Sequence, residues 1–294
     1  MNTEITTLET EDGIINDGFI LRTSSKKILI ATHGMGSNCF KEREKIIAKK
    51  VLENGIDFLG YNNRGSELVK NIRKNVDGVV KKFFAGTTYE DPKEGYFDIK
   101  AAIEKAVSLG YTDIYLQGHS LGATKVLYTY NKLKKENSEL LKYIKGVVLL
   151  SLIDIPKVLK IYLGENYEKM MNIAIQKENE KKILDLMPRE SFIHPISVKT
   201  FLEYSKYAKE IDFAQYSKRD YDYKELNNIT VPLFMRWGCE NEMIEQNVQD
   251  LVNMISQKLN NPKKDINYVS GADHGYTKKE DILANEIVEF LKKI

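Results

Sequence analysis

The chain has little of what marks several large protein classes. Only two of its 294 residues are cysteines, Cys39 and Cys239, too few for a disulfide framework, so a reduced, cytoplasmic setting is expected. No apolar run approaches the roughly 18 residues of a membrane span. The first residues also lack the basic and apolar regions of a secretory signal. We therefore expect an unexported protein with no membrane partner.

Neither sign of charge predominates. Forty-four Lys and Arg residues face 42 Asp and Glu residues, the formal net charge is +2, and the two signs are interspersed along the chain. Nucleic-acid binding therefore has no support in the charge balance. No H-E-x-x-H or comparable spacing points to a metal site, and no G-K-[ST] follows the glycine-rich residues 33–36 as it would in a P-loop. The sequence thus implies no metal and no cofactor.

Strand and helix patterns alternate along most of the chain. An antiparallel pair of strands is expected at the start, and six further apolar runs suit strands, namely residues 27–32, 56–61, 113–116, 146–152, 231–235 and 266–269. Residues 69–86 are irregular and basic, which predicts a long loop. The alternation predicts an α/β fold with a mostly parallel sheet of about eight strands and helices on both faces.

The alternation stops between residues 155 and 228. Helical patterns rich in lysine, glutamate and tyrosine fill this segment, and Pro188 and Pro195 interrupt them. We interpret it as a helical lid inserted after the sixth predicted strand, with residues 1–154 and 229–294 forming the core. Lids close pockets and select substrates. The tyrosines of this segment either line such a pocket or pack the lid helices onto the core.

The motif G-x-S-x-G occupies residues 118–122, between a predicted strand and a predicted helix. In a nucleophile elbow the serine sits on a tight, strained turn, and glycines on either side avoid collisions. Ser120 is therefore the candidate nucleophile. Serine needs a base within hydrogen-bond reach. Of the four histidines, His274 follows the last predicted strand, where a Ser, acid, His chain order places the base; the alternative is a surface loop histidine.

A second glycine-rich loop, His-Gly-Met-Gly at residues 33–36, follows the third predicted strand. Such a loop supplies one donor of an oxyanion hole, and the other comes from the residue after the nucleophile. The backbone N–H groups of Met35 and Leu121 are the candidates. The alternative is a plain turn between strand and helix. His33 is expected to fix the loop rather than to act as a second base.

Together these segments, with Asn-Arg-Gly at residues 63–65 and Asp-His-Gly at residues 273–275, resemble the α/β-hydrolase superfamily over essentially the whole chain. Residues 86–90, 96–99 and 116–126 further resemble its DUF1749 branch. The resemblance implies a serine hydrolase that acts through an acyl-enzyme on a carboxylic ester, or a thioester, of a small or medium-sized molecule.

The acid of the triad departs from the family pattern. The strand before the acid typically ends in G-x-x-D, and here Asn241 stands at the position of the aspartate. An amide cannot stabilise an imidazolium as a carboxylate does. Three readings stay open: Glu242 or Glu240 reaches His274 from the same loop, Asp154 supplies the carboxylate from a neighbouring strand end, or Asn241 itself orients the histidine.

Two alternatives to an ester hydrolase also follow from the sequence. Asn241 motivates a non-catalytic protein that binds or senses a ligand on the same scaffold. The same catalytic residues would equally serve an acyltransferase whose acceptor is not water.

Overall fold

Ten strands form one sheet in the computed structural model, which describes residues 2–240 and 242–294. In chain order they are β1 (Asn2–Glu9), β2 (Ile14–Arg22), β3 (Lys27–Thr32), β4 (Asp57–Tyr61), β5 (Lys70–Val76), β6 (Val79–Ala85), β7 (Asp113–His119), β8 (Ile144–Leu150), β9 (Leu233–Trp237) and β10 (Lys264–Tyr268). The strands lie in the order β10-β9-β8-β7-β3-β4-β2-β5-β6, and β1 pairs with β2.

The six strands from β10 to β4 in this order are parallel, and β1, β2, β5 and β6 extend the sheet with antiparallel pairs. The predicted fold class, a mostly parallel sheet surrounded by helices, is confirmed. The predicted number of about eight strands was too low, because the expected long loop over residues 69–86 is the hairpin of β5 and β6.

The hairpin turns at Asp77 and Gly78, both of which have positive φ angles, 51° and 81°. Asp-Gly with two such angles is the usual two-residue hairpin turn. The prediction was wrong because lysines and valines share the outer strand, whose residues 79–84 are all exposed. A strand without a buried face shows no alternation of apolar and polar residues.

Nine α-helices accompany the sheet in the described part of the chain: α1 (Glu42–Glu53), α2 (Gly95–Ser108), α3 (Leu121–Lys135), α4 (Ile155–Leu163), α5 (Tyr167–Asn179), α6 (Val198–Glu203), α7 (Lys224–Asn227), α8 (Val248–Lys258) and α9 (Glu280–Lys292). None of the helices in residues 2–240 and 242–294 is both long and apolar enough to cross a membrane.

Two apolar cores lie on opposite faces of the sheet. The four central residues of β3 are all apolar, and the structure shows why: Ile28 and Ile30 enter the core shared with α2, α3 and α8, whereas Leu29 and Ala31 enter the core shared with α1 and α9. Successive side chains of a strand point to opposite faces, so a strand covered on both sides needs no polar positions.

Residues 155–228 leave the sheet after β8 and return to it at β9. They carry α4 to α7. Helices α4, α5 and α6 pack around a third apolar cluster that also includes Leu121 and Ile153 of the sheet region, whereas Leu226 of α7 joins the core shared with α2, α3 and α8. Hydrogen bonds from Ser197 N–H and the Thr200 hydroxyl to the Thr88 carbonyl, 2.8 and 3.0 Å long, fix α6 to the segment after β6. The helical character predicted for this segment is thus present in the fold.

Candidate active site

Ser120 stands at the turn between β7 and α3 in a strained backbone conformation. Its φ and ψ angles are 55° and −125°, a region that residues with a side chain rarely occupy. A Cβ atom on Gly118 would lie 2.3 Å from the Gly122 carbonyl oxygen, and one on Gly122 would lie 2.3 Å from that of Thr32. Only glycines fit at both places, so the sequence pattern has a direct steric cause.

His274 lies in the loop after β10 and faces the serine. Its Nε2 is 2.9 Å from Ser120 Oγ, and its Nδ1 is 2.6 Å from a carboxylate oxygen of Glu242. With Nδ1–H donating to the carboxylate, Nε2 is free to accept the serine hydroxyl. The structure therefore joins the three side chains in one hydrogen-bonded chain.

Glu242 is held by further hydrogen bonds. Its other oxygen accepts the Gly238 N–H at 2.7 Å and the Ser151 hydroxyl at 2.5 Å, and only 3% of the side chain is exposed. The Ser151 hydroxyl also lies 3.0 Å from the Tyr276 hydroxyl, which donates to the Arg236 carbonyl. A carboxylate fixed by two donors keeps its remaining oxygen on the histidine.

The other candidate acids are placed elsewhere. Asn241 lies outside the described residues. Glu240 is exposed. Asp154 caps α4, where its carboxylate accepts the Lys157 N–H at 3.1 Å, and no hydrogen bond joins it to His274 in the described part of the chain. Burial, and then the charge of Asp212, raise the pKa of Asp154 to about 6. Of the described candidates, Glu242 alone reaches the base.

His119, the variable residue of the motif, connects the elbow to the loop of the base. Its Nε2 is 2.7 Å from the His274 carbonyl oxygen, which can only accept, so this nitrogen carries the proton. Burial, and then the charge of Arg43, hold the pKa of His119 well below its usual range, and the ring is therefore neutral. Sequence reasoning missed this residue, because the motif allows any side chain there.

The two candidate oxyanion donors are the N–H groups of Leu121, which directly follows the serine, and of Met35 in the glycine-rich loop. Leu121 is the first residue of α3, where backbone N–H groups have no partner within the helix. Neither its N–H nor that of Met35 donates to another backbone group among residues 2–240 and 242–294. Met35 lines the same cavity as Ser120. Both N–H groups therefore remain candidates for the oxyanion hole.

His33, the first residue of the glycine-rich loop, is buried and holds that loop in place. Its Nε2 accepts the Asn63 N–H at 3.2 Å. Burial, and then the charge of Lys125, lower the pKa of His33 to about 3. It is therefore a neutral acceptor, which fits the expected loop-fixing role.

A cavity of about 490 Å³ opens onto Ser120 and His274. Its apolar lining comes from both the sheet region and residues 155–228, and comprises Met35, Ile153, Ile155, Val158, Phe192, Ile193 and Met243. None of the tyrosines of residues 155–228 lines it in the structure; Tyr204, Tyr216 and Tyr223 are instead buried in the apolar clusters. Of the two roles left open for these tyrosines, packing is the one that these three fill.

The described residues contain no group of three or more His, Cys, Asp or Glu side chains arranged to hold a metal ion.

The sheet order, the strained serine after β7 and the histidine after β10 define the α/β-hydrolase class. Solved structures show the same fold. The ferulic-acid-bound Est1E from Butyrivibrio proteoclasticus is 16% identical with a TM-score of 0.66 and 98% of each chain covered. The α/β-hydrolase GrgF from Penicillium sp. sh18 is 15% identical with a TM-score of 0.68, covering 100% of this chain and 99% of that one. The Pyrococcus furiosus esterase Pf2001 is 17% identical with a TM-score of 0.60, covering 99% and 91%.

Within this class, the sequence model of the lecithin:cholesterol acyltransferase family matches residues 87–289. The chain belongs to this family. No curated protein sequence matches it.

Proposed function

We propose that the protein is a serine hydrolase that cleaves a carboxylic ester or a thioester through an acyl-enzyme. The observation that carries this proposal is the chain of hydrogen bonds from Ser120 Oγ to His274 Nε2, 2.9 Å, and from His274 Nδ1 to Glu242, 2.6 Å. A nucleophile, a base within reach and a third group that orients the base are the requirements for covalent catalysis by serine.

The reaction follows from these positions. Ser120 Oγ attacks the carbonyl carbon while its proton moves to His274 Nε2, and the buried Glu242 carboxylate stabilises the imidazolium that forms. The negative charge on the carbonyl oxygen is taken up by the N–H groups of Met35 and Leu121. His274 then gives its proton to the leaving alcohol or thiol, and a water molecule hydrolyses the acyl-serine by the same steps.

Residues 155–228 act in this proposal as a lid that selects the substrate. The segment contributes Ile155, Val158, Phe192 and Ile193 to the apolar wall of the cavity. Burial of apolar substrate surface against this wall contributes about 25 cal/mol per Å². Esters with an apolar acyl or alcohol part of small to medium size are therefore the expected substrates.

The cytoplasmic setting and the place in the DUF1749 branch belong to the same proposal. Two free thiols support the setting, the buried Cys39 and the exposed Cys239. The branch rests on the segments quoted from the sequence.

Ester hydrolysis by purified protein tests the proposal. A series of p-nitrophenyl esters and the corresponding acyl thioesters should be turned over by the wild type, and Ser120→Ala should lose at least about 10³-fold in kcat. Ser108→Ala, which changes an exposed serine at the end of α2, is the matched control and should behave as the wild type. Equal activity of Ser120→Ala and wild type would refute the proposal.

Acyl transfer is the second candidate, favoured by the match to the lecithin:cholesterol acyltransferase family. The same acyl-enzyme would pass its acyl group to an alcohol instead of water. Measuring the products at rising concentrations of a primary alcohol separates the two functions. A hydrolase yields mainly the free acid, whereas a transferase yields mainly the new ester. Total turnover depends on Ser120 in both cases.

A non-catalytic ligand-binding role has less support in the structure. The sequence suggested this role because an amide, Asn241, stands at the usual position of the acid. The buried carboxylate of the next residue, Glu242, contacts His274 in its place, so this reason carries less weight. An inert wild type that nevertheless binds esters would favour this alternative.

A further inference from the structure

Within residues 2–240 and 242–294, strand β6 forms an open edge of the sheet. It pairs with β5 on one side, the strand order ends there, and residues 79–84 are all exposed. An edge strand presents a row of backbone N–H and C=O groups that can pair with another strand. This edge lies outside the site described above.

The side chains of β6 are as unusual as its position. Strand alternation places Val79, Lys81 and Phe83 on one face and Val80, Lys82 and Phe84 on the other. All four apolar residues are largely exposed: Val79 by 57%, Val80 by 56%, Phe83 by 44% and Phe84 by 75%. Each face therefore offers an apolar residue, a lysine and an aromatic ring to a neighbour.

A second cavity, of about 580 Å³, lies against the hairpin. Ile72, Val76, Phe83 and Phe84 line it from the hairpin, and Leu184 lines it from residues 155–228. Its charged lining comprises Asp12, Arg64, Lys74, Glu90, Glu94 and Lys199. The recess beside the hairpin is therefore partly apolar and partly charged.

Three kinds of occupant differ in what they satisfy. Two copies of β6 paired about a two-fold axis would bring Lys81 and Lys82 of one copy against those of the other, and directly opposed like charges are destabilising. A lipid surface would cover the apolar side chains but leave the backbone edge without partners. A polypeptide strand with acidic residues pairs the backbone, covers apolar surface on both faces and neutralises the lysines.

We propose that β6 is a docking edge for an extended, acidic polypeptide segment of a partner protein. Cross-strand pairing with the order apolar, apolar, lysine, lysine, aromatic, aromatic calls for two adjacent acidic residues flanked on each side by two apolar ones. This pattern reads the same in both directions, so it fits a parallel or an antiparallel partner. Backbone bonds supply the affinity, and the charges opposite Lys81 and Lys82 supply the selectivity.

Fluorescence anisotropy with labelled octapeptides tests the proposal on the full chain. The probe has two central glutamates flanked by valine and tyrosine, and a second peptide carries lysines in their place. A third peptide keeps the glutamates but has alternate backbone nitrogens methylated, which removes the donors that strand pairing needs. Wild type should bind the first peptide with a Kd of about 10–100 μM and the other two at least about tenfold more weakly.

A charge reversal provides the matched comparison. The double variant Lys81→Glu with Lys82→Glu should lose about tenfold in affinity for the glutamate peptide and gain affinity for the lysine peptide. Reversing two exposed helical lysines, Lys49→Glu with Lys135→Glu, keeps the same net charge and should leave both affinities as in the wild type.

Several outcomes would overturn the proposal. No binding of the glutamate peptide up to about 1 mM would mean that the lysines only prevent strand pairing, as they do at many sheet edges. Equal binding of the methylated peptide would exclude strand addition. If the protein binds no peptide but binds vesicles containing phosphatidylglycerol, and the reversal of Lys81 and Lys82 abolishes that binding, the edge contacts lipid instead. If the protein self-associates and the same reversal abolishes the self-association, the edge contacts a second copy of the chain. None of these readouts depends on the proposed catalysis.

Discussion

Replacing Glu242 by glutamine separates the role of its charge from the role of its shape. Two donors, the Gly238 N–H at 2.7 Å and the Ser151 hydroxyl at 2.5 Å, point at one oxygen of the carboxylate. The amide oxygen of Glu242→Gln must keep that position, because an NH₂ group there would face two donors. The NH₂ group is then left 2.6 Å from His274 Nδ1, where the other carboxylate oxygen was.

This geometry gives the magnitude. An NH₂ group that donates to Nδ1 places the ring proton on Nε2, the nitrogen that accepts the proton of Ser120 in the proposed reaction. The wrong tautomer, together with loss of the charge that stabilises the imidazolium, is expected to lower kcat about 10³- to 10⁴-fold, or about 4–5.5 kcal/mol in activation free energy. The hydrogen bonds to Gly238 and Ser151 persist, so the thermal unfolding midpoint should change little.

The assay is steady-state hydrolysis of an activated ester, with circular dichroism as the check on folding. Glu240→Gln is the matched control, because it makes the same change on an exposed neighbour in the same loop and should stay within about twofold of wild type. A well-folded Glu242→Gln variant that keeps more than a tenth of the wild-type kcat would show that Glu242 is not the essential carboxylate.

Three further predictions concern neighbouring residues. Asp154→Asn keeps the cap on α4 but removes a buried carboxyl whose pKa is raised to about 6. In urea unfolding, the stability of the wild type relative to this variant should fall by up to about 3 kcal/mol as pH rises from 4 to 6 and then stay constant up to pH 8. A stability difference that does not change with pH would contradict the raised pKa. Gly122→Ala would place a Cβ 2.3 Å from the Thr32 carbonyl oxygen and should lower the free energy of unfolding by at least about 3 kcal/mol. The loss should appear as insoluble protein or as a melting temperature lowered by about 6 °C. A variant that melts at the wild-type temperature would show that the turn can relax. His119→Leu removes the donor to the His274 carbonyl and should lower kcat about tenfold with little change in KM. His119→Gln retains a donor and should keep most of the wild-type kcat. Equal losses of kcat in the two variants would argue against a role for this hydrogen bond.

Much of the fold could be predicted because its strands are buried on both faces. Runs such as Lys27–Thr32 stand out in a sequence when every position faces apolar surroundings. The β5 and β6 hairpin could not be recognised in this way, since residues 79–84 have no buried side, although Asp77-Gly78 is a usable turn signal. Strand burial, rather than strand length, separates the two cases.

The candidate site also contains residues that the sequence predicts and residues that it does not. The elbow and the base follow chain order and steric rules that are visible as glycine positions and as a histidine after the last strand. The acid is different, because Glu240 and Glu242 are two residues apart and only the path of the loop decides which one turns inward. His119 could not be anticipated either, since its hydrogen bond runs to a backbone carbonyl 155 positions away.

The most direct test of the central claim is covalent capture of the nucleophile. Intact-mass spectrometry after treatment with a fluorophosphonate should show one added phosphonyl group on the wild type, and peptide mapping should place it on Ser120. The Ser120→Ala variant should stay unmodified. No adduct on folded wild-type protein, or an adduct that persists in Ser120→Ala, would contradict the assignment of Ser120 as the catalytic nucleophile.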